Sequence, residues 1–166
     1  MRKALIGIGS NIGDRKGYID TAIEALNHIP SVKVSRTSSI YETAPWGYVN
    51  QEKFYNAVLE VETNLSQAAL LGVCLGIEAG IGRIREIKNG PRVIDLDLLL
   101  FDGMECTSAE LTLPHPRMFE RDFVLIPLKD LYPEMKIYNK YDLRHYYDLL
   151  DDDTTVKKVD FWKNCD

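Results

Sequence analysis

The sequence is short of cysteine, and that shortage excludes two ways of stapling a chain. Cys74, Cys106 and Cys165 are odd in number and widely spaced, and no CxxC or CxxH spacing appears. Neither a disulfide framework nor a zinc site is supported, and a reducing compartment is the natural setting. A staple is not needed either, because a chain of 166 residues buries roughly 70% of its unfolded surface on folding. Long hydrophobic runs are missing too. The apolar run within Met1 to Gly7 is too short for a signal peptide and is broken by glycine. No run approaches a membrane span, so the expected location is cytoplasmic, with no membrane partner. A basic excess is also absent: the formal net charge of −5 argues against nucleic acid as a partner. Two phosphate-loop fingerprints fail as well. Gly7, Gly9 and Gly13 read GxGxxxG, one residue too long for a dinucleotide turn, no acid ends the second strand, and GxxxxGK[ST] fits nowhere. These glycines read instead as a tight strand-to-helix turn.

What is present is an alternation of strand and helix patterns. Ala4 to Gly9 is a short apolar run, read as a buried strand. Asp14 can cap a helix from about Arg15 to His28 with Ile19, Ala22, Ile23 and Leu26 on one face, and Pro30 stops it. Val32 opens a second strand to about Tyr41, broken by Thr43-Ala44-Pro45-Trp46-Gly47 and a loop to about Gln51. Phe54 to Glu62 is a third strand, in which Ala57, Leu59 and Val61 alternate with polar neighbours. Ser66 caps a second helix carrying Leu70, Leu71, Cys74, Ile77 and Ile81 on one face. A basic loop from Gly82 to Arg92 leads into a fourth strand, Val93 to Phe101, ended by Asp102-Gly103. After Pro114 the pattern gives short helical turns, a helix over about Tyr141 to Leu150, and a polar, poorly patterned tail from Asp151.

The order strand, helix, strand, strand, helix, strand predicts an α+β fold. It is the ferredoxin-like split βαβ arrangement, an antiparallel sheet with helices on one face and a C-terminal elaboration. Gly72, Gly76 and Gly80 form a stripe along the second helix. The stripe reads either as close backbone packing, against the sheet or a partner subunit, or as drift tolerated at roughly 1 kcal/mol per glycine. A membrane dimer motif is excluded by Glu78 and by the length of the run.

The chemistry concentrates in the fourth strand. Asp95 and Asp97 are two apart, so both carboxylates leave one face with Cα atoms about 6.6 Å apart. Aspartate is disfavoured in strands, and two among Ile94, Leu96 and Leu98 repel unless something positive lies between them. Divalent cations coordinating carboxylates and phosphates meet that need; so does an edge-strand face salt-bridged to nearby arginines. Asn89-Gly90-Pro91-Arg92 is a turn that aims Arg92 at the entry to the acidic strand. A guanidinium matches phosphate oxygens in a planar fork, so acids with metals beside arginines make a phosphate site from both sides. Arg83 and Arg85 lie in the loop, where they can reach a transition state or form a solvated helix end. The rigid Thr43–Gly47 loop near Phe54-Tyr55-Asn56 suits a flat heteroaromatic ring, stacked on its face and hydrogen-bonded at its edge. Phe54 and Asn56 also read as core and turn support. His115 stands between prolines with no partner histidine, and Asp151-Asp152-Asp153 is a solvated acidic run.

Taken together, these segments resemble the 6-hydroxymethyl-7,8-dihydropterin pyrophosphokinase family of folate biosynthesis. The matching pieces begin with Ile8-Gly9-Ser10-Asn11, Gly13-Asp14-Arg15, Ser39-Ile40-Tyr41-Glu42-Thr43, Pro45-Trp46-Gly47 and Phe54-Tyr55-Asn56-Ala57. They continue with Ile77-Glu78, Gly82-Arg83-Ile84-Arg85, Gly90-Pro91-Arg92-Val93-Ile94-Asp95-Leu96-Asp97, Pro114-His115-Pro116-Arg117 and Arg121-Asp122-Phe123-Val124-Leu125. They keep the family's order from residue 5 to about 134. One departure is Asn89, where the family often carries tryptophan.

The resemblance implies an ATP-dependent diphosphotransferase. The hydroxymethyl oxygen of a dihydropterin alcohol attacks the β-phosphorus of ATP, and AMP leaves. It implies two Mg²⁺ ions on Asp95 and Asp97, with Arg83, Arg92 and Asp97 catalytic. Glu78, Arg85, Arg92, Leu98, Thr112, His115 and Arg121 would bind the nucleotide. Thr43, Pro45, Trp46, Phe54, Asn56 and Phe123 would bind the pterin. Residues 1–140 are expected to form the catalytic domain, 141–166 a C-terminal extension of it, and the assembly a monomer or weak homodimer. The contrasting class is a binding module on the same fold. Gln51 to Asn56 lacks the aromatic, basic signature of an RNA reader, which leaves a regulatory metabolite-binding domain as the alternative.

Overall fold

The computed structural model describes residues 1–45, 50–82, 91–150 and 156–160. Strand β1 (Arg2–Ser10) is an inner strand of the sheet. Helix α1 (Arg15–His28) begins where Asp14 accepts a hydrogen bond from the Gly17 amide at 3.0 Å, and it buries Ile19, Ala22 and Leu26. Of the three N-terminal glycines only Gly13, at φ 66°, makes the strand-to-helix turn; Gly7 and Gly9 lie inside β1.

The second predicted strand is two strands, β2 (Val32–Thr37) and β3 (Ile40–Thr43), and both pair antiparallel with β4 (Phe54–Thr63). The break has a local cause. Ser38 donates its amide to the Val58 carbonyl at 2.9 Å, while its hydroxyl accepts the Val58 amide at 2.9 Å. A side chain thus replaces a backbone acceptor, and the ladder slips by one residue without orphaning an amide. Helix α2 (Gln67–Ile81) starts at Ser66, whose hydroxyl accepts from the Ala69 amide, and stops at Gly82 in the left-handed region. Strand β5 (Asp95–Phe101) pairs antiparallel with the free side of β1.

Both faces of the central strands are apolar, so both are covered. Ala4, Ile6, Ile8, Ala57, Leu59, Val61, Leu96 and Leu98 pack with α1 and α2. Leu5, Val58 and Leu99 point the other way, and Val124, Leu125, Leu128 and Leu131 of α3 (Asp122–Leu131) close over them. Helices therefore lie on two faces rather than the one expected.

Smaller pieces complete the fold. A hairpin of β6 (Cys106–Thr107) and β7 (Thr112–Leu113) precedes a 3-10 turn at Met118–Glu120. Strand β8 (Lys136–Ile137) pairs with β9 (Tyr141–Asp142), which shortens the helix predicted from Tyr141 to α4 (Arg144–Asp148). Strand β10 (Lys157–Asp160), in the tail read as unpatterned, adds antiparallel to the outer edge of β3. A Cβ built on Gly72, Gly76 or Gly80 meets no described atom within 4 Å, so close packing against the sheet does not explain the stripe. Cys74 is buried with its thiol pushed up to about 12 by burial, then by the charges of Glu78 and Asp97. Cys106 is free, and Cys165 lies outside the described residues. No described helix is long and apolar enough to cross a membrane.

Candidate active site

The site is a consequence of register. On β1, Gly9 stands across from Asp95 and Gly7 across from Asp97; on its other flank Gly9 faces Asn56. The floor at this end of the sheet is therefore a row, Asn56–Gly9–Asp95, whose central member has no side chain. Thr43, Ala44, Phe54, Arg92, Arg121 and Phe123 complete the cleft above it. Asn56 is buried and donates its side-chain amide to the Thr43 hydroxyl at 2.7 Å, which fixes the orientation of its carboxamide. Phe123 belongs to the first turn of α3, and the Arg121 guanidinium lies 5.4 Å from its ring centre.

The two aspartates share a face, as their spacing required, and arginines only partly offset their charge. Arg92 pairs with Asp95 at 2.6 Å, whereas Arg121 approaches Asp97 no closer than 3.8 Å. Burial first and the charge of Asp95 second push the Asp97 carboxyl well above the ordinary carboxylate range, against the opposing pull of Arg121. Among the described residues these two arginines thus leave like charges in conflict. No group of three or more Asp, Glu, His or Cys ligands forms among the described residues. A pair of carboxylates is the donor set that Mg²⁺ uses when phosphates and waters fill its remaining positions.

A second cleft opens along the edge of β5. Leu71, Leu75, Glu78, Leu96, Leu98, Leu111, Thr112 and His115 line it, and Asp97 lines it too. Asp97 belongs to both clefts. Glu78, 4% exposed, spends one oxygen on the Leu96 amide at 2.7 Å, so it holds the strand edge as a backbone partner would. His115 is tied down by its amide to the Leu99 carbonyl at 2.8 Å, and its Nδ1 accepts from the Arg117 amide at 3.3 Å. Burial and then the charge of Arg121 lower its pKa, so the ring is neutral near pH 7 and Nε2–H is its donor.

The structure thus gathers Thr43, Phe54, Asn56, Arg92, Asp95, Asp97, Arg121 and Phe123 around one cleft. It gathers Glu78, Leu98, Thr112 and His115 around its neighbour. Pro45 is half-buried and follows Ala44 in the chain. Trp46, Arg83, Arg85 and Asn89 lie outside the described residues. Sequence reasoning passed over Gly9 as a lining residue and gave Asn11 no role of its own. A glycine opposite each acid is a signal only once strand pairing is fixed, and Asn11 sits inside a matching motif without a distinguishing pattern of its own.

The chain has clear relatives among known proteins. The family model for 7,8-dihydro-6-hydroxymethylpterin-pyrophosphokinase (HPPK) matches residues 5–133. The chain is 44% identical over 137 residues to the 2-amino-4-hydroxy-6-hydroxymethyldihydropteridine pyrophosphokinase of Methylorubrum extorquens, covering 82% of this chain and 87% of that protein. It is 46% identical over 128 residues to the Bacillus subtilis protein of the same name, 77% of each chain. Among solved structures, the HPPK-DHPS of Plasmodium falciparum with pteroate gives a TM-score of 0.70 at 17% identity, over 89% of this chain and 42% of that one. That likeness shows the fold, and the chain spans less than half of that longer protein. The chain belongs to the 7,8-dihydro-6-hydroxymethylpterin-pyrophosphokinase family, ATP-dependent enzymes that move a pyrophosphoryl group from ATP to hydroxymethyldihydropterin in folate synthesis.

Proposed function

We propose that the two clefts hold the two substrates and that the transfer takes place over Asp97. The observation that carries this reading is that Asp97 lines both clefts. The apolar slot between Leu71, Leu75 and Leu111 suits a purine base, with Thr112 and neutral His115 as polar contacts and Arg85 reaching the nucleotide from the loop. The cleft between Phe54 and Phe123 takes the pterin ring; Asn56, Thr43 and the chain through Pro45 and Trp46 read its edge. Removing the β- and γ-phosphates together leaves AMP, so the alcohol oxygen must approach the β-phosphorus.

Asp95 and Asp97 would hold two Mg²⁺ ions, which supply charge neutralisation of the phosphate oxygens when bound. The chain's own residues do the rest. Arg92, paired with Asp95, and Arg121, near Asp97, present guanidiniums to the phosphates. Arg83, outside the described residues, would stabilise the charge that develops in the transition state. The aromatic walls exclude water, which competes with the alcohol for ATP. Residues 1–140 act as the catalytic domain and 141–166 as its extension, a reading supported by the pairing of β10 with β3.

The test is product analysis with variants. AMP release must require Mg²⁺ and the dihydropterin alcohol together. Asp95→Ala and Asp97→Ala should abolish it. Arg83→Ala should slow it about a hundredfold or more with ATP affinity nearly unchanged. Equal losses of ATP binding and rate in Arg83→Ala would remove its transition-state role. Full activity in Asp97→Ala would overturn the shared-cleft reading.

A further inference from the structure

Asn11 is 2% exposed and lies just past the end of β1. Its hydrogen bonds are long-range. Its Oδ1 accepts the Arg92 amide at 2.7 Å, and its own amide donates to the Arg92 carbonyl at 3.1 Å. Its Nδ2 donates to the Gln51 side-chain oxygen at 2.9 Å and to the Glu52 carbonyl at 3.0 Å. The orientation of the carboxamide is settled by these partners, since one end meets an N–H and the other a backbone carbonyl. Aspartate lacks the donor, serine and threonine cannot span both partners, and glutamine is one methylene too long for the reciprocal pairing.

The residue held this way is the one whose guanidinium pairs with Asp95 at 2.6 Å. Arg92 also follows Pro91, which has no amide to donate. The pairing of residues 91–94 is therefore not a continued β ladder, since β5 begins at Asp95. The Asn11 side chain stands in for that missing ladder. The far end of the same carboxamide grips residues 51 and 52, just before β4 and its Phe54 and Asn56.

We infer that Asn11 is a positioning residue for the transfer: it fixes the Arg92 backbone, and through it the guanidinium beside Asp95, relative to the segment that leads into the pterin wall. This rests on the proposed placement of Arg92 at the phosphates. Asn11 lines neither cleft. Its substitution acts through Arg92, and the backbone bond from residue 11 to the Arg92 carbonyl survives any side-chain change. Arg92 is loosened and not released.

The experiment is a double-variant cycle read in single turnovers with enzyme in excess. Asn11→Ala should lower the transfer rate about ten- to a hundredfold, as for a misplacement of roughly an ångström, while leaving ATP affinity, measured by calorimetry, within about twofold. In an Arg92→Ala background the same substitution should cost less than about twofold, because the group it positions is gone. If Asn11→Ala slows the Arg92→Ala enzyme as much as it slows the parent, the inference falls while the role of Arg92 stands. If Arg92→Ala alone turns over at the parental rate, the placement of Arg92 falls and the inference with it. A readout on the unaltered protein guards against a variant that does not fold. The Arg92 amide proton should exchange with solvent at least tenfold more slowly than a free loop amide, and exchange at the free rate would overturn the clamp.

Discussion

The Asn56 carboxamide occupies the space that a side chain on Gly9 would fill: a Cβ built on Gly9 lies 2.4 Å from Asn56 Oδ1. The two residues are direct partners across β1 and β4. Asn56 is pinned from its other end by Thr43 at 2.7 Å. It cannot give way without breaking that bond, and no real contact is this short. Gly9 is thus the complement of Asn56, an amide pressed flat onto the sheet so that its edge is offered to the cleft.

Gly9→Ala should therefore act on one substrate. Tilting the carboxamide away from the floor removes an edge contact to the pterin, and KM for the dihydropterin alcohol should rise about tenfold or more, in line with one lost hydrogen bond that leaves a partner unpaired. ATP affinity, measured by calorimetry, should stay within about twofold. A parallel loss of both affinities would mean that the strand end has shifted as a whole.

The acid pair carries a different signature. Asp95 and Asp97 share a face, with Arg92 close to Asp95 and Arg121 farther from Asp97, and Asp97 is driven toward its neutral form by burial and then by Asp95. Asp97→Asn removes that repulsion while nearly keeping the shape. Turnover should fall at least about a thousandfold, and the unfolding midpoint without ligand should hold or rise by roughly 2–4 °C. A midpoint that drops by as much would show that Asp97 is a structural partner of Arg121.

Much of this was legible because strands and helices announce themselves by period. Asp95 and Asp97 fall two apart, so their common face needed only the assumption of a strand. Asp14, the Ile19–Ala22–Leu26 stripe and Pro30 delimit α1 without tertiary information. What was hidden depends on neighbours far away in the chain. The Ser38 break in the second strand exists because its hydroxyl meets Val58. Gly9 gains its meaning from Asn56, and Asn11 from Arg92, pairs separated by 47 and 81 positions. The second helical layer was hidden for a related reason. Leu5, Val58 and Leu99 each look like one apolar residue in a buried strand, and only their meeting on one face calls for α3.

Stability at low pH should hinge on a buried carboxylate away from the site. Glu60 is 1% exposed. Arg36 grips it at 2.7 and 3.1 Å, Lys3 lies 3.5 Å away, and the Tyr132 hydroxyl donates to it. Burial works to raise its pKa, yet the bonds from Arg36 and Tyr132 prevail and hold it down at about 2. The folded value lies below the unfolded one, so this contribution is complete above about pH 5 and is lost as the pH falls toward 2. It amounts to about 3 kcal/mol at most. Urea unfolding across that window should show the loss, and Glu60→Gln should be less stable at pH 7 with a flatter acid limb. An unchanged acid limb in Glu60→Gln would assign the loss to other carboxylates.

The tail offers the last test. Strand β10 sets Lys157 opposite Glu42 and Lys158 opposite Tyr41, on the outer edge of the short strand whose final residue, Thr43, anchors Asn56. From the inner side β3 is held by only three residue pairs with β4, and Arg15 reaches Glu42 at 3.3 Å. A chain ending at Leu150 should keep its core, because among the described residues neither apolar layer draws a buried residue from beyond Tyr147. Its β3 edge is then uncovered along Ile40 to Glu42, and Thr43 at the strand's end is left to its pairing with Phe54. KM for the dihydropterin alcohol should rise about threefold to tenfold with kcat at saturation unchanged, the pattern of lost ground-state binding. Sedimentation should show concentration-dependent association through the bared edge. An unchanged KM together with association would mean that β4 alone keeps β3 in register, and that β10 serves to cover an edge and not to build the pterin wall.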